Sequence, residues 1–250
     1  TQFFGPISEA LRSGLDGVEA ALNAVPWFVL PLAVAAIVWR LRDWKMTLLA
    51  GLAMLYPAVV GLWGVTIETL ALMTISVFVS VAIGVPLGVW AAFNRRFEQM
   101  IRPVLDAMQT VPAPVYFIPM LVLFGVGPVS AAAATIIYAL PPAVRLTTLG
   151  IRQVAPAMIE AGEMFGSTRR QMLLKIQLPA ALPTVMAGVN QALMMALGIV
   201  VLATLLAAGG LGQTVMDTLS KRRPGRGFVA GLAIVAIAVV LDRVGRAIVE

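Results

Sequence analysis

The sequence of 250 residues contains no cysteine and no histidine, and only 12% of its residues are charged. Without cysteine the chain can form neither disulfides nor thiolate metal sites, and without histidine it lacks the usual general base and the commonest metal ligand. A soluble domain has roughly 25% charged residues. Here 60% of the residues are hydrophobic. These features disfavour an enzyme and predict an integral membrane protein.

Seven apolar runs cover most of the chain after residue 24. They are Val25–Trp39, Met46–Gly64, Ile67–Phe93, Val104–Gly127, Val129–Val144, Leu182–Ala208 and Phe228–Leu241. A bilayer core about 30 Å thick needs about 20 helical residues, so the first, fifth and last runs are short, while the third can tilt or kink at Pro86. The predicted fold class is all-α, a polytopic membrane helix bundle with six or seven transmembrane helices.

The first 24 residues contain no span but repeat apolar residues at helical spacing. The members of this stripe are Ile7, Leu11, Leu15, Val18 and Leu22. The opposite side carries charged residues, so the pattern predicts an amphipathic helix. Such a helix lies along a membrane surface or packs on another part of the same protein, and the sequence leaves both possibilities open.

The basic residues are unevenly divided between the two sides of the membrane. Alternating the sides from the first run places thirteen of the eighteen on one side: Arg40, Arg42, Lys45, Arg95, Arg96, Arg102, Arg145, Arg152, Arg169, Arg170, Lys175, Arg243 and Arg246. By the positive-inside rule that side is cytoplasmic. The net charge of +6 therefore indicates membrane orientation and not nucleic-acid binding.

One long polar interval, residues 145–183, interrupts the apolar sequence on the cytoplasmic side. Pro156 can begin a helix, Met158, Ala161 and Phe165 then share one face, and Gly166 stands where a left-handed C-cap is needed. Ser167 is the predicted N-cap of a second, short helix, which ends at Gln177, Leu178 and Pro179. On pattern alone this interval is equally well an ordinary helical loop.

The same interval resembles the EAA motif of the membrane-spanning permease subunits of binding-protein-dependent ABC importers. The motif is carried by Glu160, Ala161 and Gly162, by Gly166 four residues later, and by the Ile176-Gln177-Leu178-Pro179 ending, with Gly where the family has its second Ala. Wider similarity, from about Asp106 to the Gly-Gly-Leu-Gly-Gln sequence at 209–213, resembles the glycine betaine/proline/choline branch. The resemblance covers about three fifths of the chain.

The resemblance implies a MetI-like permease fold, a location in the bacterial inner membrane and assembly as a homodimer or pseudo-dimer. It implies three regions: an N-terminal amphipathic segment (1–24), accessory transmembrane helices (25–64) and a permease core (65–250) with cytoplasmic coupling helices at 145–181. It further implies that these coupling helices dock on a separate ABC ATPase subunit, which holds the ATP and Mg. The residues it assigns to this coupling are Glu160, Ala161, Gly162, Gly166, Arg169, Leu178 and Pro179.

A quaternary ammonium substrate requires aromatic faces, because a methylated cation is held by cation–π attraction and not by hydrogen bonds. The candidate residues for such a pathway are Trp90, Tyr116, Phe117, Phe124 and Tyr138, with Asn190 and Gln191 as polar partners. For any one of these aromatic residues, lipid or helix contacts are the commoner explanation. In importers of this type the tight site is expected on an extracytoplasmic substrate-binding protein.

The prolines of the apolar runs have two possible meanings. A helix broken at membrane depth needs protein or a watery cavity around it, so a break indicates a pathway. We expect such a break only at Pro112, Pro114 and Pro119. Pro141, Pro142, Pro179 and Pro183 are expected to mark ordinary helix ends.

The ionisable residues of the runs argue against an ion-driven carrier, because such carriers place charged groups inside the membrane. Only Glu68 and Asp106 fall within the runs, both near an end and without an obvious partner. The chain has no Walker A sequence, so an ATP-driven transporter must take its ATPase from another polypeptide. An importer of a different small substrate such as an amino acid, an ion-driven carrier and a non-transporting scaffold remain the alternatives.

A second basic cluster lies on the side that should be poor in cations. It consists of Lys221, Arg222, Arg223 and Arg226. Either it docks an acidic face of the substrate-binding protein or the predicted topology of the last two spans is wrong.

Overall fold

The computed structural model describes residues 4–40, 44–203 and 208–249, and every regular element in these ranges is a helix. The α-helices are α1 (Gly5–Ala24), α2 (Val29–Trp39), α3 (Trp44–Val59), α4 (Trp63–Phe93), α5 (Arg95–Thr110), α6 (Phe117–Phe124), α7 (Pro128–Arg152), α8 (Pro156–Met164), α9 (Arg169–Gln171), α10 (Leu178–Ala203), α11 (Gly210–Ser220) and α12 (Pro224–Val249). A 3₁₀ turn (Ala113–Tyr116) precedes α6, and a π-helical turn (Met172–Gln177) joins α9 to α10. Arg42 and residues 204–207 of the sixth apolar run lie outside the described residues.

Within the described ranges, four helices are long and apolar enough to cross a membrane, and up to six spans result if each of two bent helix pairs counts as one. The upper count agrees with the lower of the two predicted numbers, six, since α2 has only 11 residues and α3 only 16, and neither is counted as a span by itself. At 1.5 Å per residue, α2 extends about 16 Å, roughly half of a bilayer core. In the structure α2 follows α1 at an angle of 92° and packs beside α3, and both contact α12.

The centre of the bundle is a parallel pair, α4 and α7, held together by small residues. Ser76, Ser80, Gly84 and Gly88 stand four residues apart on α4 and face α7. The Ser80 hydroxyl donates to the Ile136 carbonyl at 2.9 Å, and a Cβ on Gly88 would lie 2.6 Å from the Val144 carbonyl oxygen. Small residues at this spacing allow two backbones to approach closely.

Helix α10 packs antiparallel on α7 and continues the same mode of close packing. A Cβ on Gly150 would lie 3.0 Å from Thr184, and a Cβ on Gly188 would lie 3.0 Å from Leu146. As the residue number rises on α7 it falls on α10, so the two helices run in opposite directions. This α4, α7 and α10 core places the segment between α7 and α10, which carries the EAA motif, at one end of the bundle.

Three prolines predicted to end helices lie inside them instead. Pro141 and Pro142 are buried within α7, and Pro183 lies within α10. The prediction relied on the local rule that proline disfavours a preceding helix. Here the packing of α7 between α4 and α10 outweighs that local cost. Helix α4 likewise continues through Pro86.

The predicted helix break at Pro112 is confirmed. Helix α5 ends at Thr110, and the Ala113–Phe124 segment leaves it at an angle of 110°, so the run Val104–Gly127 is not one straight span. The hydroxyl of Tyr116 donates to the Met108 carbonyl and closes this bend. Pro112 has an extended backbone and cannot donate the next helical hydrogen bond.

The N-terminal helix packs on the protein itself. Leu11 and Leu15 of α1 are buried, and Gly14 lies against Ile75 of α4. Of the two possibilities that the amphipathic pattern left open, the structure has the intramolecular one. The last residues of α4 and α7 lie at one end of the bundle, which we call the inner end. Their first residues lie at the opposite end, which we call the outer end.

Candidate functional site

Helix α8 ends at the inner end of the bundle in a Schellman turn built around Gly166. The Ser167 N–H donates to the Gly162 carbonyl at 3.0 Å, and the Gly166 N–H donates to the Glu163 carbonyl at 2.9 Å. Gly166 has a φ of +73° with no other heavy atom within 4 Å of where a Cβ would lie. The predicted left-handed position is therefore confirmed, and glycine is required by the backbone and not by lack of space.

The second half of the motif differs from the prediction. Thr168, not Ser167, is the N-cap, and it forms a capping box in which the Thr168 hydroxyl accepts from the Gln171 N–H at 3.3 Å. The helix does not stop at Leu178 and Pro179. It runs through the π-helical turn into α10, so Arg169–Ile199 is one continuous helical segment. In the π turn the Leu178 N–H donates to the Leu173 carbonyl, five residues earlier, so Pro179 falls where the i→i−4 pattern is already interrupted.

Gly162 allows α8 to lie directly on the π-helical turn. A Cβ on Gly162 would come within 2.6 Å of Ile176 Cδ1 and 2.7 Å of Met172 Cε. These atoms are the ends of flexible side chains, so an alanine, as in the family motif, requires only that they move aside. The glycine of this chain permits the closest approach of the two elements.

The outward side of α8 is apolar as well as exposed. Met164 is 89% exposed and Phe165 91% exposed, and Met158 is exposed beside them. Glu160, Ala161 and Arg169 are exposed too. The predicted face of Met158, Ala161 and Phe165 thus points away from the bundle, while Gly162 packs inward. An exposed apolar patch beside charged residues is typical of a protein-binding surface.

Both carboxylates of the apolar runs have partners, contrary to the prediction. Glu68 Oε2 accepts from the Gly210 N–H at 2.7 Å at the outer end, and the Thr69 hydroxyl accepts from the Leu211 N–H at 2.9 Å. The two side chains of α4 thereby cap the first turn of α11. Asp106 pairs with Arg145 at 2.5 Å. Glu68 and Gly210 are 142 residues apart in the sequence, and Asp106 and Arg145 are 39 apart. No local sequence pattern could therefore identify these partners.

The candidate pathway residues are not gathered in one place. Tyr116 and Tyr138 form an edge-to-face pair with centroids 5.8 Å apart, and Phe117 is buried in the same apolar cluster. Asn190 instead faces α12, where its buried Oδ1 lies against Gly245 without a hydrogen-bond partner in the described structure. Gln191 is exposed.

The two remaining aromatic candidates serve as packing contacts. Trp90 stacks on Phe97, with ring centroids 3.8 Å apart, and Phe124 meets Phe4 edge to face at 5.7 Å. Trp90 is also half exposed. Neither ring forms part of an aromatic cage, so their geometry does not favour a quaternary ammonium site at these positions.

The second basic cluster lies at the outer end, opposite the EAA loop. Lys221 ends α11, Arg222 has a φ of +51°, and Pro224 begins α12. Lys221, Arg223 and Arg226 line a cavity of about 580 Å³ together with Asp217 and the Val60–Leu62 turn that precedes α4. All four cations are exposed. The arrangement concentrates positive charge on one open recess.

Comparison with known proteins gives matches along nearly the whole chain. The family described as binding-protein-dependent transport system inner membrane component matches residues 84–250. The permease ProW of the Escherichia coli K12 glycine betaine/proline betaine transport system is 43% identical over 249 residues, which are 98% of this chain and 70% of ProW. The Bacillus subtilis glycine betaine permease OpuAB is 40% identical over 242 residues, 97% of this chain and 86% of OpuAB.

Among solved structures, the fold is similar to that of the MetNI methionine ABC transporter in an inward-facing conformation. The TM-score is 0.67 with 22% sequence identity, and the match covers 73% of this chain and 91% of the MetNI chain. At this identity the likeness concerns the fold alone. It agrees with the helix bundle predicted from the apolar runs.

Proposed function

This chain belongs to the family of inner membrane components of binding-protein-dependent transport systems, and we propose that it forms the transmembrane pathway of an ATP-driven importer for betaine-like compatible solutes. The solutes in question are glycine betaine, proline and choline. Relatives that are 40–43% identical carry glycine betaine in their names and cover nearly all of this chain. That similarity supports this solute class over an amino acid such as methionine.

The exposed α8 surface is the observation that carries the proposal of ATP coupling. Phe165, at the end of α8, is 91% exposed, and exposing so large an apolar side chain to water costs free energy. A docked partner would cover it. Since the chain has no Walker A sequence, we assign the ATP and Mg to a separate ATPase subunit, with no ATPase site of the chain's own. Glu160 and Arg169 supply charges at the rim of that surface, and the Gly166 turn fixes its direction.

Two matched phenylalanine variants test the coupling surface. Phe165→Ala should weaken capture of the P-loop ATPase by the purified chain about tenfold, because a large apolar contact is lost at the interface. Phe228→Ala is the control, since Phe228 is also exposed but lies beside the basic cluster at the outer end. Equal capture of the ATPase by wild type and Phe165→Ala would contradict the proposed surface.

We assign the second basic cluster to docking of the extracytoplasmic substrate-binding protein. Lys221, Arg223 and Arg226 line an open recess, which suits acidic side chains of a partner. Single surface ion pairs contribute only about 0–1 kcal/mol, but a group of cations steers association. The tight solute site would then belong to that partner, and the chain itself needs only weak contacts from residues such as Tyr138 and Asn190.

We further propose that two copies of this chain build the pathway. A subunit with four to six spans in its described residues encloses little space, and the same part of the bundle has no aromatic cage that could hold the solute alone. Cross-linking in membranes should give a dimer at low reagent concentration. A monomer at every concentration would contradict this arrangement.

Uptake measurements test which solute the transporter carries. Vesicles containing the chain, its ATPase and its binding protein should take up labelled glycine betaine in the presence of ATP, and vesicles with the Glu160→Lys variant should not. Labelled methionine serves as the comparison solute. Uptake of methionine without uptake of glycine betaine, proline or choline would replace the proposed solute class and leave the ATP coupling intact.

A further inference from the structure

A small cavity at the inner end lies between α4, α5 and α7 and is lined by three arginines, Arg102, Arg145 and Arg152. Its volume is about 270 Å³, just below the range of about 300–1,000 Å³ typical of pockets that hold whole small molecules. One carboxylate, Glu98, lines the same cavity. The lining is therefore cationic, and its size suits a head group better than an entire ligand.

The three arginines differ in how far the protein satisfies them. Arg152 is fully engaged, because it pairs with Glu98 at 2.7 Å and donates to the carbonyls of Ala91 and Ala92. Arg145 pairs with Asp106 through one nitrogen, but its Nε is buried and has no hydrogen-bond partner in the described residues.

Arg102 stands in the same cavity wall on α5, one turn from Glu98. It makes neither an ion pair nor a hydrogen bond with any described residue, and its side chain is exposed. In this cavity wall the guanidinium group of Arg102 is thus free, and that of Arg145 is only partly satisfied, since it binds Asp106 through one nitrogen and its buried Nε has no partner in the described residues. Guanidinium groups bind phosphate oxygens strongly, often through two hydrogen bonds.

The residues around this cavity are of the types found at a membrane interface. Helix α5 is amphipathic, with Met100 and Val104 exposed on its outer side, and Trp90 beside it is half exposed. Tryptophan is enriched at the level of the lipid head groups, and amphipathic helices lie in that plane. Apolar residues Ile101, Leu105 and Leu149 complete the lining and offer a surface for the first part of an acyl chain.

We propose that this cavity is a binding site for the phosphate group of an anionic phospholipid, held by Arg102 and Arg145. Basic pockets between membrane helices on the cytoplasmic side bind such head groups. The cavity offers no site for the quaternary ammonium group of a betaine-like solute, because none of the lining residues is aromatic and the charge has the wrong sign for that group. The proposal does not depend on which solute the transporter carries.

Lipid retention by the purified chain tests the site without any transport assay. The chain is placed in nanodiscs of phosphatidylcholine and phosphatidylglycerol, stripped with detergent, and the retained lipid is counted by mass spectrometry. Wild type should keep phosphatidylglycerol selectively. Arg102→Gln should lower that retention at least about tenfold, since charge-assisted hydrogen bonds are lost.

Two further variants separate a built site from general surface charge. The Asp106→Asn/Arg145→Gln double variant removes the second guanidinium without leaving its partner unpaired, and it should also lower retention. Arg96→Gln makes the same change of charge on α5 outside the cavity and should retain lipid like wild type. Equal losses in Arg96→Gln and Arg102→Gln, or unchanged retention in both cavity variants, would overturn the site.

A final experiment distinguishes binding of the lipid from binding of a free anion. Inorganic phosphate is titrated into nanodiscs made of phosphatidylcholine alone, and its binding is followed by calorimetry in wild type and Arg102→Gln. We expect no binding at millimolar concentration. Phosphate binding that depends on Arg102, without selective retention of phosphatidylglycerol, would overturn the assignment to a lipid.

Discussion

The carboxylate of Glu68 accepts a hydrogen bond from the backbone N–H of Gly210 at 2.7 Å, joining the start of α4 to the start of α11. Gly209 and Gly210 both have positive φ, and a Cβ on Gly209 would lie 2.7 Å from Glu68 Oε2. The glycines therefore let the backbone turn tightly around the carboxylate. A negative group at the first turn of a helix is stabilised by the exposed N–H groups and the helix dipole.

Replacing Glu68 with alanine should destabilise the outer end by about 1–2 kcal/mol, because the first turn of α11 loses its cap. Glu68→Gln keeps an acceptor without the charge and should lose roughly half as much. Thermal unfolding of the purified chain in detergent measures both. Identical midpoints for wild type and Glu68→Ala would show that the cap contributes nothing.

Gly166→Val should reduce solute-stimulated ATPase turnover of the assembled transporter more than it reduces stability. A β-branched residue at a φ of +73° is strained by about 1–2 kcal/mol, and that strain would distort the turn after α8. Gly125→Val is the matched control. Gly125 has a φ of +79° and similarly open surroundings, but it lies between α6 and α7, away from the EAA loop.

The two glycine variants should thus share a loss of thermal stability, and only Gly166→Val should lose ATPase stimulation. A parallel loss of stimulation in Gly125→Val would assign the effect to stability alone.

Gly88→Ala should loosen the α4 and α7 pair and lower stability by about 1–3 kcal/mol, because the new Cβ would meet the Val144 backbone oxygen at 2.6 Å. Gly64→Ala lies on the same helix with nothing within 4 Å of the new Cβ. That control should be neutral or more stable by up to about 1 kcal/mol, since alanine favours a helix. Chemical denaturation in mild detergent would compare them, and equal effects would contradict close α4 and α7 packing.

Changing Lys221, Arg222, Arg223 and Arg226 together to serine should slow solute uptake, most strongly at low ionic strength, because salt screens the attraction in the wild type. Basal ATPase activity should not change, since the cluster lies at the end of the bundle opposite α8. Uptake that falls equally at low and high salt would argue against electrostatic docking of the binding protein.

The sidedness of this cluster has its own test. A cysteine introduced at Ser220 should react with an impermeant thiol reagent in intact cells, and the chain adds no background because it has no native cysteine. Protection of Cys at this position would place the cluster in the cytoplasm and overturn the predicted topology of the last two spans.

Features that depend on neighbouring residues could be predicted from the sequence, while contacts between distant segments could not. The α8 boundary and the Gly166 turn follow from residues within one helical turn of each other, so the capping rules located them. The N-cap was misplaced by one residue, because Ser167 and Thr168 are both good caps and only Gln171 three residues after Thr168 decides between them.

The errors over prolines have a common physical cause. Pro141, Pro179 and Pro183 break the local hydrogen-bond pattern, yet α7 and α10 continue because neighbouring helices or a π turn accommodate them. One signal was present and was missed. Small residues at 76, 80, 84 and 88 have the spacing of a close helix contact and predict the α4 face that meets α7.

The continuity of the helix through Pro179 has a mechanical consequence. Residues Arg169–Ile199 form a rod about 46 Å long at 1.5 Å per residue, and α8 is seated on its inner tip through Gly162, Met172 and Ile176. Because this segment counts as one helix, a force applied to α8 under the coupling that we propose would tilt the whole segment about its contacts with α7. A small displacement at the inner end would then produce a displacement in the opposite direction at the outer end.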